Sequence, residues 1–520
     1  MAPNKASLSG LVLSNFQAHQ RRGYEDESKV HGRRSRGMRS SNMRENDVAA
    51  RVSLIRDEIA SHLLTDAMSA ATVSEGGDKC DDMMQDAKIE VAAAIAGCVD
   101  AAFGTIAVHT NTASWSESVE QVFDLASSLA CRDGDGFLAG HLVLRATQFS
   151  VAPVEIVRAQ SCVLLGLCVR QILLGAEQTK STELGKNDLA SFLVGSSESM
   201  EWREECIDVV KESLVPRLTD KSQAVRNAAI KACANFFNDS DEEKEANYSD
   251  ISDALIYSLT HDPSFANRSA AVQSVPVSEA MLPHILERVR DVKLKVRVDA
   301  LDVLRANVDV HNLTEDQRVE LLEAALTPRC TSTYEATAKM LCCGWMKSVK
   351  FDPIALLGLL SPTVNDTICE KALACVIDAA SNDETKSISV KATLKELSDP
   401  EVRAYKEEVY KPLEIVRGDN DAPVDADTVF FLRVMCDKTL KDTSLSDSRK
   451  ADTIGKLMPD VPVLCEILQK HLGLLVGSIR SRCEGQDEEM DDESAEFEDS
   501  ESFICLQLLH LFKVSDLKEE

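Results

Sequence analysis

The stretch LPHILERVRDVKLKVRVDALDVL, residues 282–304, decides the fold. Leu282, Ile285 and Val289 recur at helical spacing, a turn follows at Asp291, and Val296, Ala300 and Leu304 resume the same spacing. This predicts two short helices joined by a tight turn. Two units upstream follow the same plan. One carries Ile207, Val210, Leu214 and Leu218, a turn at Thr219–Ser222, then Val225, Ala229, Cys233 and Phe236. The other has Leu255 and Leu259 before its turn, with Asp262 expected to cap the second helix and Pro263 to open it.

The three units share a register. Asp220, Asp262 and Asp291 each precede an arginine by six residues: Arg226, Arg268 and Arg297. Three residues after each arginine stands an alanine, Ala229, Ala271 or Ala300, small enough to let paired helices approach. Five residues after each aspartate stand Val225, Asn267 and Val296. An aspartate at each turn and an arginine opening each second helix predict an Asp–Arg ladder along one edge. Such pairs bury their apolar faces only by stacking on neighbours, so the fold class is all-α, a HEAT-repeat α-solenoid. The pattern weakens outside this core. Val157-Arg158 resembles another second-helix start, but Ala152 holds the aspartate position, and Tyr334 stands where an arginine is expected after Pro328.

Composition agrees. In 520 residues, hydrophobic content is 44% and aromatic content 5%, with 14 prolines and 22 glycines, which suits close-packed helices better than sheets. The net charge of −29 repels nucleic acid at long range, so a nucleic-acid role needs a local basic patch. The 16 cysteines lie among apolar neighbours, as Cys162, Cys168, Cys233, Cys369 and Cys375 do, and no CxxC occurs. They read as reduced, buried thiols of a cytosolic or nuclear protein. No uninterrupted apolar run of membrane-spanning length is seen, so no membrane span is expected.

Four segments follow. Residues 1–46 carry nine basic and four acidic side chains and are expected to be a basic, disordered tail, able to touch DNA or direct nuclear import. Residues 47–483 are assigned to the solenoid, starting with Val52, Ile55, Ile59 and Leu63. Breaks are expected at Gly76–Cys80 and Cys131–Gly136, with Val119, Val122, Leu125 and Leu129 on a helix between. Residues 484–502 hold eleven acids and no base and are expected to be an acidic, disordered loop, with Ser494, Ser500 and Ser502 open to acid-directed kinases. Residues 503–520 read as the start of a further helix in an array cut short.

No catalytic or cofactor motif appears: there is no P-loop, GxGxxG, HExxH or GxSxG, and ten histidines are scattered without metal spacing. Asp133-Gly134-Asp135-Gly136 fails as a calcium loop, because Cys131 and Leu142 would hold positions that need carboxylates. The sequence thus predicts a non-enzyme with no cofactor, metal or small-molecule substrate. One candidate site stands out. Arg288, Arg290, Lys293, Lys295 and Arg297 place five positive charges in ten residues across a turn, and Arg217 and Lys221 flank an equivalent turn. Without an element to read base edges, contacts there would go to phosphates. Arg297 is assigned to the ladder instead.

Residues 281–346 resemble one family in particular. Met281-Leu282-Pro283-His284-Ile285, Arg288, Asp291-Val292, Val296-Arg297 and Ala300 are similar to the condensin G subunit, also called condensin subunit 3. So are Asn307-Val308, Leu313, Gln317-Arg318-Val319, Leu321-Leu322, Leu326 and Gly344-Trp345. The upstream run Val215–Lys221 with Val225-Arg226 fits, as do Val429–Arg433, Leu457-Met458-Pro459, Phe503-Ile504 and Gln507-Leu508-Leu509 downstream, in the family's order. The resemblance spans roughly residues 140–520 and corresponds to the N-terminal part of the family. Residues 1–140 match poorly, a family tryptophan near Phe431 is missing, and the second half of the family's solenoid is absent. The resemblance implies a HEAT scaffold that binds the condensin kleisin subunit, and through it the SMC ATPases. It also implies duplex DNA held without sequence specificity, mitotic chromosome condensation, and a place in the nucleus and on chromosomes, with cytoplasm in interphase. A different HEAT scaffold, such as a nuclear transport receptor or a phosphatase scaffold, is the alternative.

Overall fold

The computed structural model describes residues 78–108, 116–131, 136–181, 201–237, 248–326, 331–380, 394, 397–409, 424–442, 445–484 and 492–515. The basic tail and the helix expected over Val52–Leu63 lie outside them. The chain divides into two compact units, Met1–Pro276 and Val277–Glu520. Every regular element among the described residues is helical, in HEAT-type helix pairs.

In the first unit α1 (Asp78–Val108), α2 (Ser116–Cys131), α3 (Gly136–Ser150) and α4 (Glu155–Ser181) precede the registered repeats. Of the break expected at Gly76–Cys80, the described residues Asp78–Cys80 are helical and belong to α1. Then come α5 (Glu201–Leu214), a 3-10 turn (Val215–Thr219) around Pro216, α6 (Gln223–Cys233), α7 (Ser249–His261) and α8 (Phe265–Ser274). The register alanines Ala229 and Ala271 are fully buried. α4 and α6 approach closely. A Cβ on Gly166 would lie 2.9 Å from the backbone of Ala232, so only glycine fits without a shift. Asp262 does not cap α8 as expected. Ser264 holds the cap position and α8 begins at Phe265, leaving Pro263 in the turn.

The second unit starts with α9 (Leu282–Arg288) and α10 (Leu294–Asn307), the pair on which the reading began. Next are α11 (Glu315–Ala325), opened by a reciprocal Thr314–Gln317 capping box, and α12 (Thr331–Lys339). α12 continues through a π-turn at Met340–Trp345, where Trp345 is buried. α13 (Pro353–Gly358), α14 (Asp366–Ala380), α15 (Asp399–Val409), α16 (Ala426–Lys441), α17 (Asp447–Leu457), α18 (Val461–Glu484) and α19 (Asp492–Ser515) complete it.

The acidic run departs from expectation. From Asp492 it is helical, not a loop, and the helix expected from 503 starts eleven residues earlier. Acids are favourable near a helix N-terminus, where the backbone dipole is positive. Two of them also find partners on α18: Glu498 accepts a hydrogen bond from Ser478 (2.9 Å), and Glu501 pairs with buried His471 (2.7 Å). The helix also packs on α16. Ile504, Leu508, Leu511 and Val514 join Val429, Leu432 and Cys436 of α16 in one core.

Three helices are long and apolar enough to cross a membrane by length and composition, at Lys88–Ala107, Glu155–Leu174 and Val461–Ser481. This corrects the expectation of no such segment, which considered only unbroken apolar runs. A helix buried between neighbours on two sides becomes apolar nearly all round, and the first two stretches are 44% and 61% buried in this way.

Candidate nucleic-acid interface

The basic turn of the second unit rests on a framework that all three registered turns share. In each, an aspartate oxygen accepts the N–H two residues on: Asp220 from Ser222 (2.9 Å), Asp262 from Ser264 (2.8 Å), Asp291 from Lys293 (2.8 Å). In each, the arginine six residues on donates Nη1 to that aspartate's own carbonyl at 2.8 Å: Arg226 to Asp220, Arg268 to Asp262, Arg297 to Asp291. The side chain tightens the turn and the guanidinium locks it from the next helix.

In the first unit Arg158 and Arg226 use the rest of their guanidinium groups to build the ladder. Arg158 grips Asp220 of the next repeat with Nε and Nη2, both at 3.0 Å, and Arg226 grips Asp262 at 2.7 and 3.1 Å. Arg158 takes this place although Ala152 holds the aspartate position of its own turn. Its Nη1 donates to the Ala152 and Pro153 carbonyls, which exist whatever the side chain. Burial alone would raise the carboxyls of both aspartates. At Asp220 the hydrogen bonds from Arg158 and the Ser222 N–H, with the charges of Arg158 and Arg217, outweigh it and hold the pKa below the usual range. At Asp262 Arg226, Asn267 and the Ser264 N–H do the same.

The structure sorts the six candidate side chains into two kinds. Arg217 and Arg288 each stand three residues before a turn aspartate and fold back onto it, Arg217 to Asp220 at 3.3 Å and Arg288 to Asp291 at 3.6 Å. Arg217 also donates to the Ser150 carbonyl of the preceding repeat (3.3 Å). Their side chains are only 22% and 15% exposed, and their geometry is that of framework residues. The spacing Arg-x-x-Asp could have revealed this, but Leu259 stands in the third unit and hides the pattern.

Lys221, Arg290, Lys293 and Lys295 face solvent. Arg290 is 55% exposed and lies 3.6 Å from the Glu320 carboxylate, itself 66% exposed. Lys295 is 60% exposed and reaches back to buried Asp299 at 2.5 Å. The Arg290–Glu320 pair is solvated and weak, so that guanidinium can exchange a carboxylate for a phosphate at little cost, whereas Lys295 is held by a buried carboxylate and can offer a phosphate only its remaining N–H donors. Lys221 belongs to the first unit and the other three to the second; Arg290, Lys293 and Lys295 share a single turn. Arg297 clamps its own turn through the Asp291 and Val292 carbonyls, but its Nε meets Thr333 Oγ1 at 3.4 Å where the ladder assignment expected an aspartate carboxylate. Nothing among the described residues forms a group of three metal-ligating side chains. Burial pushes the thiols of Cys162 and Cys369 up to about 12, far from a reactive thiolate.

No family model matches the chain. Curated relatives named condensin complex subunit 3 do. The protein of Schizosaccharomyces pombe is 29% identical over 176 residues, 34% of this chain and 20% of its own length. That of Xenopus laevis is 30% identical over 169 residues, 32% of this chain and 16% of its own. The human protein is 28% identical over 173 residues, 33% of this chain and 17% of its own. The matched stretch is thus about a fifth or less of these relatives. Among solved structures, the crystal structure of the S. pombe condensin Cnd3–Cnd2 subcomplex aligns over 85% of this chain and 47% of its own. The TM-score is 0.52 and the identity 19%, a likeness in fold. In aligned sequence, and in fold, this chain is similar to condensin complex subunit 3.

Proposed function

We propose that the chain is a non-catalytic scaffold of a condensin complex, binding the kleisin subunit and, through it, the SMC ATPases. The observation that carries this reading is the match to condensin complex subunit 3 in three organisms. The solved relative in fold is a subcomplex with a second subunit, Cnd2, which supports a kleisin partner here. The scaffold also holds duplex DNA, without sequence specificity, on phosphate contacts from Lys221, Arg290, Lys293 and Lys295. Arg217 and Arg288 support those turns from behind. The assembly works in mitotic chromosome condensation, in the nucleus and on chromosomes, with cytoplasmic residence in interphase.

Purification of the tagged chain from dividing cells, followed by mass spectrometry, tests the assignment. Recovery of a kleisin and two SMC ATPases is expected. Recovery of transport cargo or phosphatase subunits, with neither kleisin nor SMC protein, would replace this reading with that of another HEAT scaffold.

A further inference from the structure

The basic turn carries something phosphate binding does not use. Val292 is 89% exposed, more than any other large apolar side chain among the described residues; Val364 follows at 78%. Leu294, two residues on, is also exposed. Neither sits in a loose loop. The Asp291 carboxylate holds the Lys293 N–H, and Arg297 Nη1 clamps the carbonyls of Asp291 (2.8 Å) and Val292 (3.2 Å). The isopropyl group is therefore presented in a fixed position, with Arg290 before it and Lys293 and Lys295 after it. In the first unit, Lys221 and Pro263 occupy the position equivalent to Val292. The framework does not demand an apolar residue there.

We infer that Val292, with Leu294, is a specificity element that packs on the carbon face of a deoxyribose between the phosphates engaged by the flanking cations. A nucleic-acid backbone alternates anionic phosphates with sugars whose carbon edges are apolar, and protein contacts go to both. An apolar side chain set rigidly among cations matches that alternation. A bare polyanion offers nothing for it to bury. The turn thereby distinguishes duplex DNA from other polyanions. This inference rests on the proposed DNA reading.

The test uses the full chain and two probes, a short duplex and inorganic polyphosphate of equal charge, each titrated over a range of salt. Val292→Ala and the isosteric Val292→Thr should weaken duplex binding about fivefold or less, in line with the apolar area lost. They should leave polyphosphate affinity and the salt slope unchanged, because that slope counts phosphates. The triple reversal Arg290→Glu, Lys293→Glu, Lys295→Glu should weaken both probes and flatten the slope. If the triple reversal weakens duplex binding but the Val292 variants keep the wild-type preference for duplex, the specificity role is wrong. If the triple reversal leaves duplex binding unchanged, the DNA site itself is wrong.

Discussion

The turns at Asp220 and Asp291 have nearly the same skeleton and different surfaces. Each has an aspartate bonded to the second N–H onward, an arginine clamping the aspartate's carbonyl at 2.8 Å, and an arginine three residues earlier folded back on the carboxylate. Where the skeleton makes no demand, they diverge. The first turn shows Thr219, Lys221 and Ser222; the second shows Arg290, Val292, Lys293, Leu294 and Lys295. The framework fixes the backbone, and the exposed side chains outside it differ from turn to turn. Charge alone does not separate the two kinds, since Arg288 and Arg290 are two residues apart with opposite roles.

Breaking the skeleton should cost most. Asp220→Ala leaves Arg158 buried without its carboxylate and should lower stability by about 3–5 kcal/mol, measured by urea denaturation. Arg288→Ala removes a mostly buried guanidinium beside Asp291 and should cost about 1–2 kcal/mol. Acid provides a third contrast. The ladder aspartates have depressed pKa values, so their stabilisation is full above the ordinary carboxylate value and is lost as pH falls below it. Asp427, in the second unit, is the reverse: burial and the neighbouring Asp425 charge raise it to about 6. Its charged form opposes folding above that pH, so stability should rise as pH drops from 6 towards 4. Asp427→Asn should remove this rise and add on the order of 1 kcal/mol at neutral pH, after allowing for partial exposure. Urea midpoints across pH 3 to 8 would show both trends.

Smaller effects sharpen the comparison. Ala152→Asp supplies the carboxylate missing from the turn that Arg158 already clamps. It should add about 0.5–1 kcal/mol, visible as a raised urea midpoint. Lys293→Ala should change stability by less than about 0.5 kcal/mol, yet lower duplex affinity and reduce the salt slope by about 1.

The six-residue spacing from aspartate to arginine announced the ladder, because both ends of each link are side chains. The link from Arg158 to the Ala152 carbonyl was hidden, because a backbone acceptor leaves no trace in residue identity. The acidic run misled for a related reason. Its net charge spoke for a solvated loop, whereas Glu498 and Glu501 face Ser478 and His471, partners about twenty and thirty residues away in sequence. The basic cluster was visible as charge, but the division between Arg288 and Arg290 depends on which side of the chain each faces as α9 ends.

The central claim is that framework and binding residues are separable within one turn. Its most direct test compares Arg288→Glu with the triple reversal Arg290→Glu, Lys293→Glu, Lys295→Glu, measuring urea stability and duplex affinity on the same preparations. The account predicts that Arg288→Glu unfolds at lower urea, while the triple reversal stays folded, with its midpoint lowered only by loss of the Lys295–Asp299 pair, and loses duplex binding. Unchanged duplex binding in a folded triple reversal would contradict it.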